Sequence, residues 1–439
     1  MQNTHSGAIP KTENEMKLNE LKNKINEGAL SSFSNIYSDT ESQKSRYIAS
    51  LDRFAELFGE DRDVYVLSVP GRSEILGNHT DHNRGMVLAG AIDRDIIAVV
   101  SPNEDGFVRL KSEGYELDEV DLSLIDEPEN FKKYSSAALI AGVARGLFLE
   151  GYSIGGLDAY TTSDVLKGSG ISSSAAYEVM IGNIFNHLYN DGKIDNVLVA
   201  KISQYAENVF FGKPCGLMDQ MACAVGGFVF MDFCDPKSPI IEPIAFSLRD
   251  EGYELCIVNT GGNHADLNED YASVPAEMKG VAELLSREVL RGVSEGDLIK
   301  SAPVIREKLG DRALLRALHF VRENSRVLSA RTSLLNKNIN GFFAEVLASG
   351  KSSFEYLQNV YTTKNVKEQG LSLALCLTEG FLSGKGCAQR VHGGGFAGTI
   401  QAYVKREDAD EYVALMDSVF GKGAVMRLNI RPVGACRIF

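Results

Sequence analysis

The chain contains no CxxC pair, and its seven histidines show no metal-ligand spacing. A zinc ribbon and a thioredoxin-like dithiol are therefore excluded as readings of the cysteines. The seven cysteines are scattered and odd in number, which fits a reducing, cytoplasmic setting. The N-terminus lacks a basic-then-apolar signal region. No uninterrupted apolar run is long enough to span a bilayer. Basic residues are the minority, 45 against 59 acidic, for a net charge of −14. That balance argues against a nucleic-acid or anionic-membrane partner. It does not argue against a nucleotide, whose phosphates one local cation and Mg²⁺ can neutralise. There are no internal repeats, and a monomer is expected.

What is present is ordinary globular material. The length of 439 residues allows two or three domains, and 44% hydrophobic with 24% charged residues can build a sizeable core. Residues 1–45 are polar and read as a surface extension, with a helix near Glu15 to Ile25. Tyr47, Leu51, Phe54 and Leu57 at helical spacing predict a second helix over Thr40 to Phe58. Val64 to Val69 reads as a short strand ending at Pro70. Met86 to Ile92 and Asp95 to Ser101 read as two further strands, and Asn196 to Phe211 as one helix. Near residue 245 the texture shifts toward long helices. Strands and helices alternate imperfectly, which predicts an α+β chain with domains over 46–245 and 246–439.

The stretch Leu166 to Tyr177, LKGSGISSSAAY, stands out. Gly168 and Gly170 flank Ser169. Ile171, Ser172, Ser173 and Ser174 then lead into an apolar-periodic helix. Glycines let a backbone approach a ligand closely, and a helix start presents unpaired N–H groups to anions. The stretch is a candidate phosphate cradle; a capped helix after a glycine turn fits the same residues. It is neither a Walker loop, since no Gly-Lys-Ser/Thr follows, nor a dinucleotide fingerprint, since the third glycine is missing.

Phosphoryl transfer to a hydroxyl needs a phosphate cradle, Mg²⁺ ligands, a group for the acceptor proton and positive charge. Ser174 and Glu207 offer hard oxygens, although a helical glutamate is more often solvated. Asp219 lies among apolar neighbours, where a carboxylate is costly unless paired, although aspartate also caps helices. Arg72 follows a β-run. If Arg72 and Asp219 meet, each explains the other. His79, Asp81 and Asn83 alternate along a polar stretch suited to a hydroxyl-rich ligand or to a turn. Gly393-Gly394-Gly395 opens a second glycine loop before a strand.

Taken together these stretches resemble the galactokinases, within the GHMP small-molecule kinases. Pro70-Gly71-Arg72 through Leu88 is similar to the family's sugar signature. Lys167 to Ala176 is similar to its G-x-G-L-S-S-S-A-A loop, Ala206 to Gln220 to its A-E…C-G-I-M-D-Q run, and Val391 to Thr399 to its third glycine motif. Only about the first 45 residues fall outside. The resemblance implies a two-domain GHMP-kinase architecture with the active site in the cleft between domains. It implies phosphorylation of the C1 hydroxyl of α-D-galactose by MgATP. Asp219 would be the base or anionic partner of that hydroxyl, oriented by Arg72. Ser174 and Glu207 would hold Mg²⁺, and Gly168, Ser169, Gly170, Ile171, Ser172, Ser173 and Ser174 would wrap the ATP phosphates. Asn78, His79, Asp81, Gly216, Asp219 and Tyr271 would line the sugar site. One departure bears on substrate: Asn78 stands where the family carries glutamate, and Glu74 where it usually carries asparagine. An amide donates and accepts, whereas a carboxylate only accepts. The exchange predicts weaker or altered sugar preference with partial compensation. N-acetylgalactosamine or another galacto-configured sugar is the alternative substrate. A non-catalytic galactose and ATP sensor is the alternative class, which the intact serine loop, Glu207, Asp219 and Arg72 disfavour.

Overall fold

A computed structural model describes residues 16–28, 33, 36–37, 40–165, 171–262 and 267–439. Its larger sheet has nine strands among the described residues. The central pair is Asp63–Leu76 and Met86–Pro102, joined antiparallel. Leu157–Ser163 follows on one side, then Phe107–Ser112 in parallel and Leu117–Asp121. Phe228–Asp232 pairs with the first half of Met86–Pro102 and carries Ile240–Ile244 beyond it.

Both central strands run longer than their sequence suggests. Pro70 does not end the first one. The strand continues to Leu76, with its register shifted between Pro70 and Arg72. A bulge absorbs a proline and re-aims the residues after it. Met86–Pro102 is one strand of 17 residues, not two. Asp93 and Asp95, which mark the expected break, are buried but paired. Asp93 Oδ1 accepts from Asn429 N at 2.9 Å. Asp95 meets Arg46 at 2.6 Å and Arg431 at 3.2 Å. A partnered carboxylate need not interrupt a buried strand.

The polar N-terminal segment contributes packed structure. Leu18, Leu21 and Ile25, on one face of helix Leu18–Asn26, are fully buried. They join Tyr47, Leu51 and Phe54 of helix Thr40–Phe58 against Val64, Val66, Ile97 and Val99 of the sheet. Each such side chain contributes about 2 kcal/mol of burial. The segment reads as an extension by composition because few apolar residues, correctly spaced, suffice to dock a helix. Arg46 reaches from the second helix to Thr162 O and to Asp164, at the end of the strand that precedes residues 166–170.

The larger sheet's strand Ile240–Ile244 ends just before the smaller sheet begins at Tyr253. The smaller sheet is antiparallel, ordered Ala388–Val391, Thr399–Lys405, Tyr253–Asn259, Val425–Leu428. Helices Ile339–Ser352, Gly370–Leu382 and Ala409–Phe420 accompany it. The two halves do not stay separate. Cys436–Arg437 pairs with Ser68 and Leu67 of the first central strand. One apolar cluster runs from Leu67 and Ile75 through Val258 and Tyr403. The C-terminal half thus closes against the strand that carries Arg72.

Candidate active site

A cavity of about 300 Å³ lies between the central strand, the helical layer and the loop at Gly393 and Gly394. Arg72 enters it just past the bulge. Asp219 enters from the first turn of helix Met218–Val225. They are 147 positions apart in the chain and form a two-pronged pair: Arg72 Nε donates to Asp219 Oδ1 at 2.7 Å, and Nη2 to Oδ2 at 2.8 Å. The Ser172 hydroxyl also donates to Asp219. Burial alone would raise the Asp219 carboxyl, but Arg72 first and Ser172 next hold it below the usual range. Three of its roughly four acceptor positions are filled, which leaves one for a ligand hydroxyl.

The serine stretch is thereby tied to the acid. Ser172 adopts a left-handed backbone, φ 56°, immediately before helix Ser173–Tyr189. Strain of this kind persists where surrounding contacts fix it. Ile171 is buried in the core, and its carbonyl accepts from Arg72 N at 3.1 Å. Ser174, on the first turn, lines the cavity. Gly168, Ser169 and Gly170 lie outside the described residues. Gly71 permits the close approach: a Cβ there would stand 2.8 Å from Ile171 O. Gly71→Ala is expected to cost about 1–3 kcal/mol, as overpacking does. Urea denaturation checks it, through a lower midpoint at unchanged slope.

Glu207 arrives by an irregular route. The helix expected over 196–211 is α-helical only to Tyr205, then widens into a π-turn over Ala206–Phe211. Such turns often re-aim a side chain at a functional site. Glu207 is buried and lines the cavity. Its Oε1 lies 3.2 Å from Lys213 Nζ, and its Oε2 accepts from Gln220 Nε2 at 2.9 Å. The same Gln220 nitrogen donates to Glu178, one turn beyond Ser174. Burial, and then the Glu207 charge, push the Glu178 carboxyl up to about 9. Glu178 Oε1 and Gln220 Oε1 are buried oxygens without a hydrogen-bond partner among the described residues. No cluster of three or more His, Cys, Asp or Glu suited to a metal exists among those residues. The Ser174 hydroxyl and the Glu207 carboxylate are instead a sparse set of hard donors. A lysine ammonium already sits at that carboxylate. This set fits Mg²⁺, which takes one or two protein oxygens and completes its shell with phosphate and water.

The turn after the central strand builds the opposite wall. Gly77 carries φ 101°, and a Cβ there would lie 2.6 Å from Met86 O. His79 Nε2 donates to Gly394 O at 2.9 Å, and Asp81 faces Gly216, where a Cβ would come 2.8 Å from its Oδ2. Asn83 points away, accepting from Leu290 N, so it is a turn residue. Tyr271 packs against the second glycine loop, its ring 2.8 Å from where a Cβ on Gly394 would stand, and donates to Gly395 O at 2.7 Å. Asn78 is fully buried. Its amide nitrogen donates to Glu74 Oε1 at 3.0 Å and Gly393 O at 2.7 Å, and its oxygen accepts from Asn359 at 2.7 Å. The exchanged Asn and Glu are therefore direct partners. Sequence reasoning overlooked Lys213, taken only as part of a helix break at Gly212-Lys213-Pro214. It also overlooked Glu178, whose spacing of four from Ser174 was the available signal.

Known proteins are similar to this chain in sequence and in fold. A family model described as the galactokinase galactose-binding signature matches residues 52–102, and one for the N-terminal domain of GHMP kinases matches 138–227. A galactokinase of Streptomyces coelicolor is 33% identical over 374 residues, 84% of this chain and 92% of that protein. A galactokinase of Clostridium tetani is 30% identical over 377 residues, covering 84% and 91%. The crystal structure of Lactococcus lactis galactokinase complexed with galactose aligns with a TM-score of 0.74 at 22% identity, over 89% of this chain and 99% of that one. The mevalonate kinase of Methanococcus jannaschii aligns at 0.57 and 13% identity, over 83% and 98%. These two structural likenesses show the fold.

Proposed function

The chain belongs to the galactokinase family, and from that premise we propose that it transfers the γ-phosphoryl group of MgATP to the C1 hydroxyl of α-D-galactose. The chief support within the molecule is the Arg72–Asp219 pair, bonded at both prongs in the same cavity as Ser174 and Glu207.

The serine stretch with its helix N-terminus takes the ATP phosphates, as unpaired N–H groups and the helix dipole favour. Ser174 and Glu207 would hold Mg²⁺, which would supply positive charge against the phosphates. His79, Asp81 and the backbone at Gly216 offer the sugar ring convergent polar contacts. Asp219 uses its remaining acceptor position to align the C1 hydroxyl on phosphorus. A carboxylate held low by an arginine is a weak base. In a loose transition state the bond to the leaving oxygen is largely broken before the acceptor proton must go. Asp219 thus orients the hydroxyl first and receives its proton late, as the new O–P bond forms and ADP leaves. Arg72 keeps the carboxylate ionised and sets its angle.

A coupled ADP-release assay across free sugars tests this function. Galactose is expected to turn over far faster than glucose, and N-acetylgalactosamine is included because of the Asn78–Glu74 exchange. A chain that binds galactose and ATP but releases no ADP with any sugar would be a sensor, and the kinase assignment would fall.

A further inference from the structure

Glu74 is one of four carboxylates that line the cavity, with Asp81, Glu207 and Asp219. Arg72, Ser73 and Glu74 pair with Ala91, Gly90 and Ala89 without a shift in register. Arg72 and Glu74 therefore share a strand face, about 6.6 Å apart along it. That is roughly the breadth of a pyranose ring, so a ring whose reacting hydroxyl sits at Asp219 has its far side toward Glu74. Glu74 lines the cavity. Its Oε1 accepts from Asn78 and lies 3.6 Å from the fully buried Arg390. Its Oε2 accepts no hydrogen bond from a described residue, and it is not sealed among the buried orphan atoms.

Asn78 is in the opposite condition. Both amide hydrogens are spent on Glu74 and Gly393 O, and the oxygen accepts from Asn359 and, at 3.4 Å, from Ser353. An amide side chain has no further capacity than this. We propose that Glu74 Oε2 accepts a hydrogen bond from a substrate hydroxyl on the side of the ring away from C1, and that Asn78 is its positioning residue. This rests on the sugar-kinase function above and names a specificity determinant within it. The carboxylate is supplied from the strand, and the turn residue after it serves as its brace.

The test compares full-length wild type and Glu74→Gln on galactose and on galactoses lacking one hydroxyl each at positions 2, 3, 4 and 6. Glu74→Gln is expected to raise the KM for galactose about tenfold or more, the weight of one hydrogen bond to a charged group, with kcat changed less. One deoxy sugar should lose its KM penalty in the variant, because substrate hydroxyl and carboxylate form a coupled pair. Glu74→Asp, which keeps the charge, should restore part of that penalty. Equal penalties in wild type and variant for every deoxy sugar would overturn the proposal and leave Glu74 a structural residue. Should Glu74→Gln fail to fold, the same comparison on Glu74→Asp decides it: a shifted penalty at one position supports, an unshifted set overturns. Absence of turnover by wild type on any sugar would overturn the kinase function itself, an outcome distinct from uniform penalties in an active enzyme.

Discussion

Asp219→Asn is expected to lower kcat by about 10² to 10⁴, the range for a positioned acid or base, with the fold retained. The amide preserves volume and one acceptor oxygen but removes the charge that the Arg72 guanidinium meets at 2.7 and 2.8 Å. In the proposed mechanism the C1 hydroxyl then loses both its strongest acceptor and the destination of its proton. Asp219 is 32% exposed, so solvent screens the loss of the pair and limits the cost to stability. ADP release under saturating substrates, with near-ultraviolet circular dichroism on the same sample, separates chemistry from folding. A variant with near-normal kcat would remove Asp219 from the acceptor hydroxyl.

Asp95→Ala is expected to have the largest effect on stability, about 3–5 kcal/mol, because it strands buried arginines. Asp95 is fully buried. It receives Arg46 at 2.6 Å, Arg431 at 3.2 Å, and the hydroxyls of Tyr37 and Ser68. Burial pushes its carboxyl up, but Arg46 and Arg431 outweigh that, and the net shift is downward. A folded-state value below the unfolded one of about 3.9 fixes the sign. The stabilisation is complete above about pH 4–5, and it is lost as pH falls through the folded value. Urea midpoints at pH 7 and at about pH 2–3, below the unfolded value, check both points. The variant should start lower and lose less between the two pH values than wild type does. An Asp95→Ala midpoint equal to wild type at pH 7 would show the cluster to be energetically idle.

How far the sequence was legible depended on whether a residue's signal was local. Helix Thr40–Phe58 was readable to its ends because Tyr47, Leu51 and Phe54 keep strict helical spacing. The serine loop and the run around Asp219 carried specific motifs, and their convergence on Arg72 followed from requiring a partner for a buried charge. Strand Leu117–Asp121 was invisible because only Val120 of its five residues is buried, which leaves no alternation to see. Helix Glu295–Leu309 was missed because only Leu298 and Ile305 of its 15 residues are buried, which leaves little of an apolar stripe to see. The single length of Met86–Pro102 could not be foreseen, since the arginines that neutralise Asp95 come from positions 46 and 431. The Glu74–Asn78 pair was noticed as an odd exchange. Its consequence, that one residue's amide is fully spent while the other's oxygen faces the cavity, needs Gly393 and Asn359, which lie some 280 to 315 positions away.

The closure of Asp63–Leu76 by distant chain has a consequence for biosynthesis. Its outer edge is covered over Asp63 and Val64 by Met16–Lys17 and over Leu67 and Ser68 by Cys436–Arg437, while Arg431 reaches Ser68 across 363 positions. During translation the strand bearing Arg72 is made well before Cys436–Arg437 and waits with part of its outer edge bare until those residues follow. An open edge of that kind invites pairing with other nascent chains. Ribosome-bound intermediates halted before residue 429 should therefore be the species that aggregates and that trigger-factor-type chaperones engage.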